Sequence, residues 1–249
     1  MTTATPRRIA LLNDGSAYIG PALAREWARR GHDLVVGDPA PGLAEELEGL
    51  GVTVHAVAGV RDLAADGAAD RLVAAALDRF GRIDAACAFT GRIVGGPFRT
   101  STVDDLRTVM EGCMVAPYHF LRAVVEPMVA AGGGQVLLLT SAAGARPAPG
   151  VPLYSAARAG ATMLARNVAG EVARHGVQVN VIGTNYMDFP EFHRAAGTDD
   201  PERRAAFEQQ VPMRRFGTLE ECAAFSMAFL DGTSGFTTGQ FVAYAGGWA

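Results

Sequence analysis

The sequence predicts an α/β fold: a doubly wound parallel sheet with helices on both faces, in a single domain spanning residues 1–249. Three observations predict it. Short apolar runs such as Ile9–Leu12, Leu34–Gly37 and Ile83–Phe89 alternate with longer stretches of helical periodicity, the pattern of parallel strands joined by crossover helices. The first run leads through Asn13-Asp14-Gly15-Ser16-Ala17-Tyr18-Ile19-Gly20 into a helical stretch, the strand–turn–helix opening of a Rossmann-like unit. The length of 249 residues suits one such domain.

Composition narrows the function. The chain is 49% hydrophobic with 30 glycines, which fits a large core and many tight turns. A net charge of −4 without a basic run gives no footing for nucleic acid. The cysteines, Cys87, Cys113 and Cys222, are odd in number and scattered without metal-ligand spacing. Neither a disulfide framework nor a metal site is expected, and a reducing cytoplasm fits. Met1–Arg8 lacks the apolar core of a signal peptide, and no apolar run approaches membrane-spanning length, so no membrane partner is expected.

Taken in order, Ile9–Leu12 is a buried strand, and the helix after it runs to Arg30, where Gly31 stops it. Leu34–Gly37 is the second strand and ends at Asp38. A helix over Leu43–Leu50, a strand over Val52–Val57 and a helix over Asp66–Phe80 follow, and Ile83–Phe89 is the next strand. Thr102–Val129 reads as a long helix, kinked or restarted at Pro117. Val136–Leu139 is a buried strand, Val177–Ile182 another, Leu219–Leu230 a helix and Phe236–Val242 the last strand. Phe189, Pro190 and Phe192 make an unusually aromatic loop, consistent with a substrate wall.

The chemistry sits between Ser141 and Arg158. Ser141 closes a strand, and carboxyl ends of strands are where open α/β sheets bind ligands. Tyr154 and Arg158 open the next helix, and residues four apart share a helical face. A free tyrosine loses its proton near pH ~10, and a permanent neighbouring cation favours the phenolate. A serine hydroxyl can hold the substrate oxygen. Together the three make a base for an alcohol proton, or an acid in reverse.

At these residues the chain resembles the short-chain dehydrogenases/reductases, whose signature is S-x12-Y-x3-K. Arg158 stands where that lysine would hold the nicotinamide ribose. S-x12-Y-x3-R is instead the triad of the halohydrin dehalogenases, which look like the same fold without a cofactor. Elsewhere the chain sides with them. The reductases carry T-G-x3-G-x-G after the first strand; aligned on Gly20, Asp14 and Tyr18 replace the first two glycines. An aspartate puts negative charge towards a pyrophosphate, and a tyrosine ring fills volume that a dinucleotide needs. The dehalogenases have T-x4-F/Y-x-G, and Asn13 replaces that threonine. The reductases' relay asparagine falls on Cys113, read as a small core residue. Where reductases usually have P-G against the nicotinamide, the present Asn185-Tyr186 is similar to the N-Y pair that lines a halide site.

The resemblance therefore implies a cofactor-free dehalogenation of vicinal haloalcohols to epoxides, reversible as epoxide opening by small anions. It implies Ser141, Tyr154 and Arg158 as catalytic residues. It places the halide among Tyr18, Thr184, Asn185 and Tyr186, and the substrate against Phe89, Ala143, Met187 and Phe189. The expected partners are a haloalcohol or epoxide and a halide ion; no cofactor or metal is expected, and by resemblance the protein is a homotetramer. One feature points to a rival, an NAD(P)-dependent oxidoreductase with a divergent loop: Asp38 ends the second strand, where an acidic residue takes ribose hydroxyls. Its alternative reading is a turn starter before Pro39. A non-catalytic scaffold is the other rival, and the intact Ser–Tyr–Arg spacing opposes it.

Overall fold

A computed structural model describes residues 7–249; the reading of Met1–Arg8 lies, as far as Pro6, outside the described residues. The strands are β1 (Ile9–Leu12), β2 (Asp33–Gly37), β3 (Val54–Val57), β4 (Ala85–Phe89), β5 (Gly134–Ser141), β6 (Val177–Thr184) and β7 (Phe241–Tyr244). They form one seven-stranded, all-parallel sheet in the order β3-β2-β1-β4-β5-β6-β7. The predicted fold class is borne out.

Alternate side chains of each central strand enter opposite cores, because successive residues of a strand point to opposite faces. Leu12, Val36, Leu137 and Leu139 join one core. Leu11, Val35, Val136 and Leu138 join the other. Both faces are therefore apolar, and both are covered by helices. The first core is closed by α1 (Gly20–Arg29) and α2 (Leu43–Glu48), through Leu23, Trp27, Leu43 and Leu47. The second is closed by α3 (Ala68–Phe80) and by the helices between β4 and β6, through Leu72, Phe120, Val124 and Met128.

Those later helices are not one rod. α4 (Val103–Met110) starts in a capping box of Thr102 with Asp105. A π turn over Glu111–Val115 follows, and α5 (Ala116–Ala131) takes over with Pro117 in its first turn. The interruption expected at Pro117 thus begins six residues earlier: the backbone stays helical through Val115, and Ala116 N–H reaches back five residues to the Glu111 carbonyl, just before the N–H that Pro117 lacks. α6 (Pro152–Val172) lays Ala157, Ala161, Ala165 and Ala169 towards the interior, a stripe of small side chains that lets the helix sit close to the sheet.

The remaining helices are α7 (Pro190–Ala196), α8 (Pro201–Glu208) and α9 (Leu219–Ser226). The aromatic stretch read as a loop is therefore helical from Pro190 on, with Phe189 extended before it. Pro190 and Pro201 open α7 and α8, and Asp200 caps α8 through the backbone N–H groups of Glu202 and Arg203. The last strand also lies later than Phe236–Val242. Thr237 and Thr238 act as side partners of β6 instead: the Asn180 and Gln178 amides donate to the Thr237 carbonyl, and the Thr238 hydroxyl accepts from Val179 N–H.

Strand order reverses about β1, which lies between β2 and β4, so the crevice outside the carboxyl ends of β1 and β4 is the expected ligand site. Asn13 bridges that crevice. Its amide donates to the Phe89 carbonyl at 3.1 Å, and its side-chain oxygen accepts from Phe89 N–H at 3.1 Å.

Asp38 faces a different task from ribose binding. Its carboxylate accepts from the backbone N–H groups of Gly59 (2.7 Å), Val60 (2.9 Å) and Arg61 (2.7 Å). It ties the end of β2 to the loop after β3, and its own backbone is left-handed at φ 41°. Asp38→Ala should strip these donors of their acceptor and lower stability in urea unfolding by about 2 kcal/mol. An unchanged unfolding midpoint would remove the structural role.

Candidate active site

The cleft at the crevice has a volume of about 1070 Å³, and every residue expected to be catalytic, halide-binding or substrate-lining stands on its wall. Ser141 ends β5, paired in register with Thr184 at the end of β6. Its hydroxyl accepts from Ala143 N–H at 3.1 Å and donates weakly to the Thr184 carbonyl at 3.4 Å. The short turn Ala142–Gly144 then packs on α6, where Tyr154 and Arg158 lie buried one turn apart.

The Arg158 guanidinium lies over the Tyr154 ring, 5.1 Å from its centroid, and donates to the Thr90 carbonyl. Room for it exists because residue 91 is glycine: a Cβ there would stand 2.3 Å from Arg158 Nη2. Burial works against the charge, but Tyr154, Cys113 and Tyr18 together outweigh it and hold Arg158 above the usual arginine range. Arg158 Nε and Nη1 have no acceptor among the described residues. A buried, half-satisfied cation over a phenol ring favours negative charge beside it.

Tyr18 and its surroundings depart most from an ordinary dinucleotide turn. Its backbone is left-handed at φ 48°, a region that glycine enters freely and tyrosine only at a cost of roughly 1–2 kcal/mol. Its ring packs edge-on to Phe189 and Phe89, with centroids 4.8 and 5.6 Å away. Its hydroxyl donates to the Thr184 hydroxyl at 2.9 Å, and Thr184 in turn bonds the Thr140 carbonyl at 3.4 Å. Burial, then Cys222, pushes the Tyr18 phenol above the usual tyrosine range, and the bond to Thr184 offsets this only in part. Tyr18 is thus a proton-holding wall of the cleft rather than its base.

The loop after β6 contributes the wall that adjoins Tyr18. Asn185 Nδ2 is buried without an acceptor among the described residues. Tyr186 has a left-handed backbone at φ 47°, and its hydroxyl donates to Gln210 at 3.0 Å. Its ring meets Phe192, Phe207, Phe216 and Trp248 edge-on or tilted. Asp188 fastens this loop to α7 and α8, pairing with His193 at 2.6 Å and Arg204 at 2.8 Å. Burial would raise its carboxyl, but the bonds from Arg204 and His193 prevail and hold it below the usual carboxylate range. Met187, buried, bridges to Gly217 and completes the wall with Phe89, Ala143 and Phe189.

Among the cleft residues that escaped the sequence reading are Arg61, Arg146 and Trp248. Arg61 pairs with the Asp14 carboxylate at 2.8 Å across the mouth of the β1–α1 turn. Arg146 and Trp248 stack at another edge, and Phe192 backs the aromatic wall. Phe192 is a residue the sequence reading placed in a substrate wall, and it lines the cleft.

The fold and cleft define a Rossmann-like enzyme with a Ser–Tyr–Arg site at the carboxyl ends of its strands. The profile of the family described as Enoyl-(Acyl carrier protein) reductase matches residues 15–249, and the chain belongs to that family, within the short-chain dehydrogenase/reductase superfamily. Among its relatives is an uncharacterized oxidoreductase of Mycobacterium tuberculosis, 32% identical over 96% of this chain and 90% of that one. Levodione reductase superposes with a TM-score of 0.87 at 25% identity, over 96% of each chain. A structure described as "Dehalogenation enzyme" superposes with a TM-score of 0.84 at 28% identity, over 98% of each chain.

The superfamily implies a nicotinamide dinucleotide, and the residues present do not fit one held in the usual way. The Tyr18 ring takes the place of a phosphate-loop glycine, the buried Asp14 carboxylate takes another, and Arg61 is engaged with it. Both carboxylate oxygens of Asp38, which would meet a ribose, are turned to the backbone of residues 59–61.

Proposed function

We propose that this cleft converts vicinal haloalcohols to epoxides and halide without a nucleotide, and opens epoxides with small anions in reverse. The observation that carries this reading is the Tyr18 ring, lodged between Phe89 and Phe189 on glycine-type backbone. Tyr154 takes the hydroxyl proton of the substrate, Ser141 holds that oxygen, and Arg158 balances the phenolate. The alkoxide forms its bond to the neighbouring carbon as the carbon–halogen bond breaks, and the halide leaves with the electron pair. Asn185 Nδ2, buried without an acceptor among the described residues, supplies an N–H for that charge. The kinship with the "Dehalogenation enzyme" supports the reading.

A second reading, nicotinamide-dependent oxidation or reduction of an alcohol or carbonyl, is favoured by the relatives, whose names are those of oxidoreductases. One experiment separates the two. Purified protein should release bromide from 1,3-dibromo-2-propanol in the absence of nucleotide. Titration with NADH or NADPH, followed by fluorescence transfer, should give no saturable signal. Saturation at micromolar concentration, with no bromide released, would establish the second reading instead.

A further inference from the structure

We propose that Arg146 is a specificity residue that recognises a carboxylate on the substrate, remote from the reacting carbons; this rests on the epoxide and haloalcohol reading of the same cleft. The charges on the wall are uneven. The arginines there are Arg61, Arg92, Arg146 and Arg158, and the acidic residues are Asp14 and Asp62. Arg61 is paired with Asp14, and Arg92 with Asp62 and Glu111. Arg158 is buried over Tyr154. Arg146 has no carboxylate partner among the described residues. The cleft thus carries a surplus of positive charge in a chain whose net charge is −4.

Arg146 is also held in place. Its guanidinium stacks on the Trp248 ring at 4.5 Å and donates to the Trp248 carbonyl. A guanidinium fixed on one face by an aromatic ring and on one edge by a carbonyl keeps its other N–H groups in a rigid fork, which suits a carboxylate. Trp248 links it to the aromatic wall, since its ring meets Tyr186 at 6.0 Å. A substrate with an aromatic or bulky apolar body can lie along Tyr186, Phe189 and Phe192, with its epoxide at Tyr154 and its carboxylate at Arg146.

The test compares two epoxides opened by azide, 4-(oxiran-2-yl)benzoate and neutral styrene oxide. The wild type should favour the benzoate by about tenfold in kcat/KM, through KM, as expected for one charge-assisted hydrogen-bonding pair. Arg146→Met keeps an apolar stem over Trp248 without the charge, and should abolish that ratio. Arg146→Lys should restore part of it. An unaltered ratio in Arg146→Met, or an equal loss with both epoxides, would overturn the inference. Calorimetric binding of 4-ethylbenzoate against 4-ethylbenzamide reads the same preference without turnover. If neither epoxide is opened but the benzoate binds through Arg146, the reaction is misassigned and the carboxylate site stands. If the epoxides are opened and the benzoate is not preferred, the reverse holds.

Discussion

Arg158→Lys is expected to lower the turnover of haloalcohol by about 100-fold, the scale of losing effective general base catalysis. The guanidinium reaches over the Tyr154 ring and on to the Thr90 carbonyl at the same time. A lysine ammonium is a single point on a flexible stem and cannot hold both positions. Burial disfavours its charge, and unlike arginine it can discard the proton. With less positive charge beside the reacting groups, negative charge developing there is less favoured, and the pH–rate profile should change with it. The variant also recreates the lysine that oxidoreductases of this superfamily carry. If the protein were one of them, the change would be tolerated and the profile would keep its place. Measuring kcat from pH 5 to 10 on both proteins decides the matter.

Asn185→Ala should slow ring closure by about two to three orders of magnitude, the typical effect of deleting one preorganised donor to developing negative charge. A buried N–H group with no acceptor is costly unless a ligand or water supplies one. Asn185 Nδ2 is such a group among the described residues, on a residue that lines the cleft with the triad. Bromide and chloride should inhibit azide-driven epoxide opening competitively in the wild type and much less in the variant. Equal inhibition of both proteins would move the leaving-group site away from this loop.

How far the chain could be read beforehand depended on how local the physics is. Tyr154 and Arg158 were legible because helical geometry alone puts residues four apart on one face. The sheet was legible because apolar runs alternate with helical patterns. Asn13 was legible only as the replacement for a motif threonine, since its partner Phe89 lies 76 residues away; the match depends on β1–β4 register. Asp38 offered two readings, and only the placement of residues 59–61 against it shows which groups take its carboxylate. α7 and α8 were missed because each is too short to establish a period, and aromatic residues obscure their polar faces. The Arg146–Trp248 pair joins residues 102 apart and has no sequence signature at all.

The π turn at Glu111–Val115 has a bearing on the seat of Arg158. A π turn carries one residue more than the α-helix it interrupts, so the helix bulges there like a washer set into a shaft. Gly112 on that bulge presses against the strap carrying Gly91: a Cβ on residue 112 would stand 2.5 Å from the Arg92 nitrogen. Cys113 beside it bonds the Arg92 carbonyl through sulfur at 3.6 Å. The bulge therefore acts as a shim that sets the height of residues 90–92, and with it the carbonyl on which the guanidinium rests. Removing a single residue from the turn would leave an unbroken helix and an intact sheet, yet the shim would be gone. The tyrosine and arginine would keep their helix while losing the floor that aligns them.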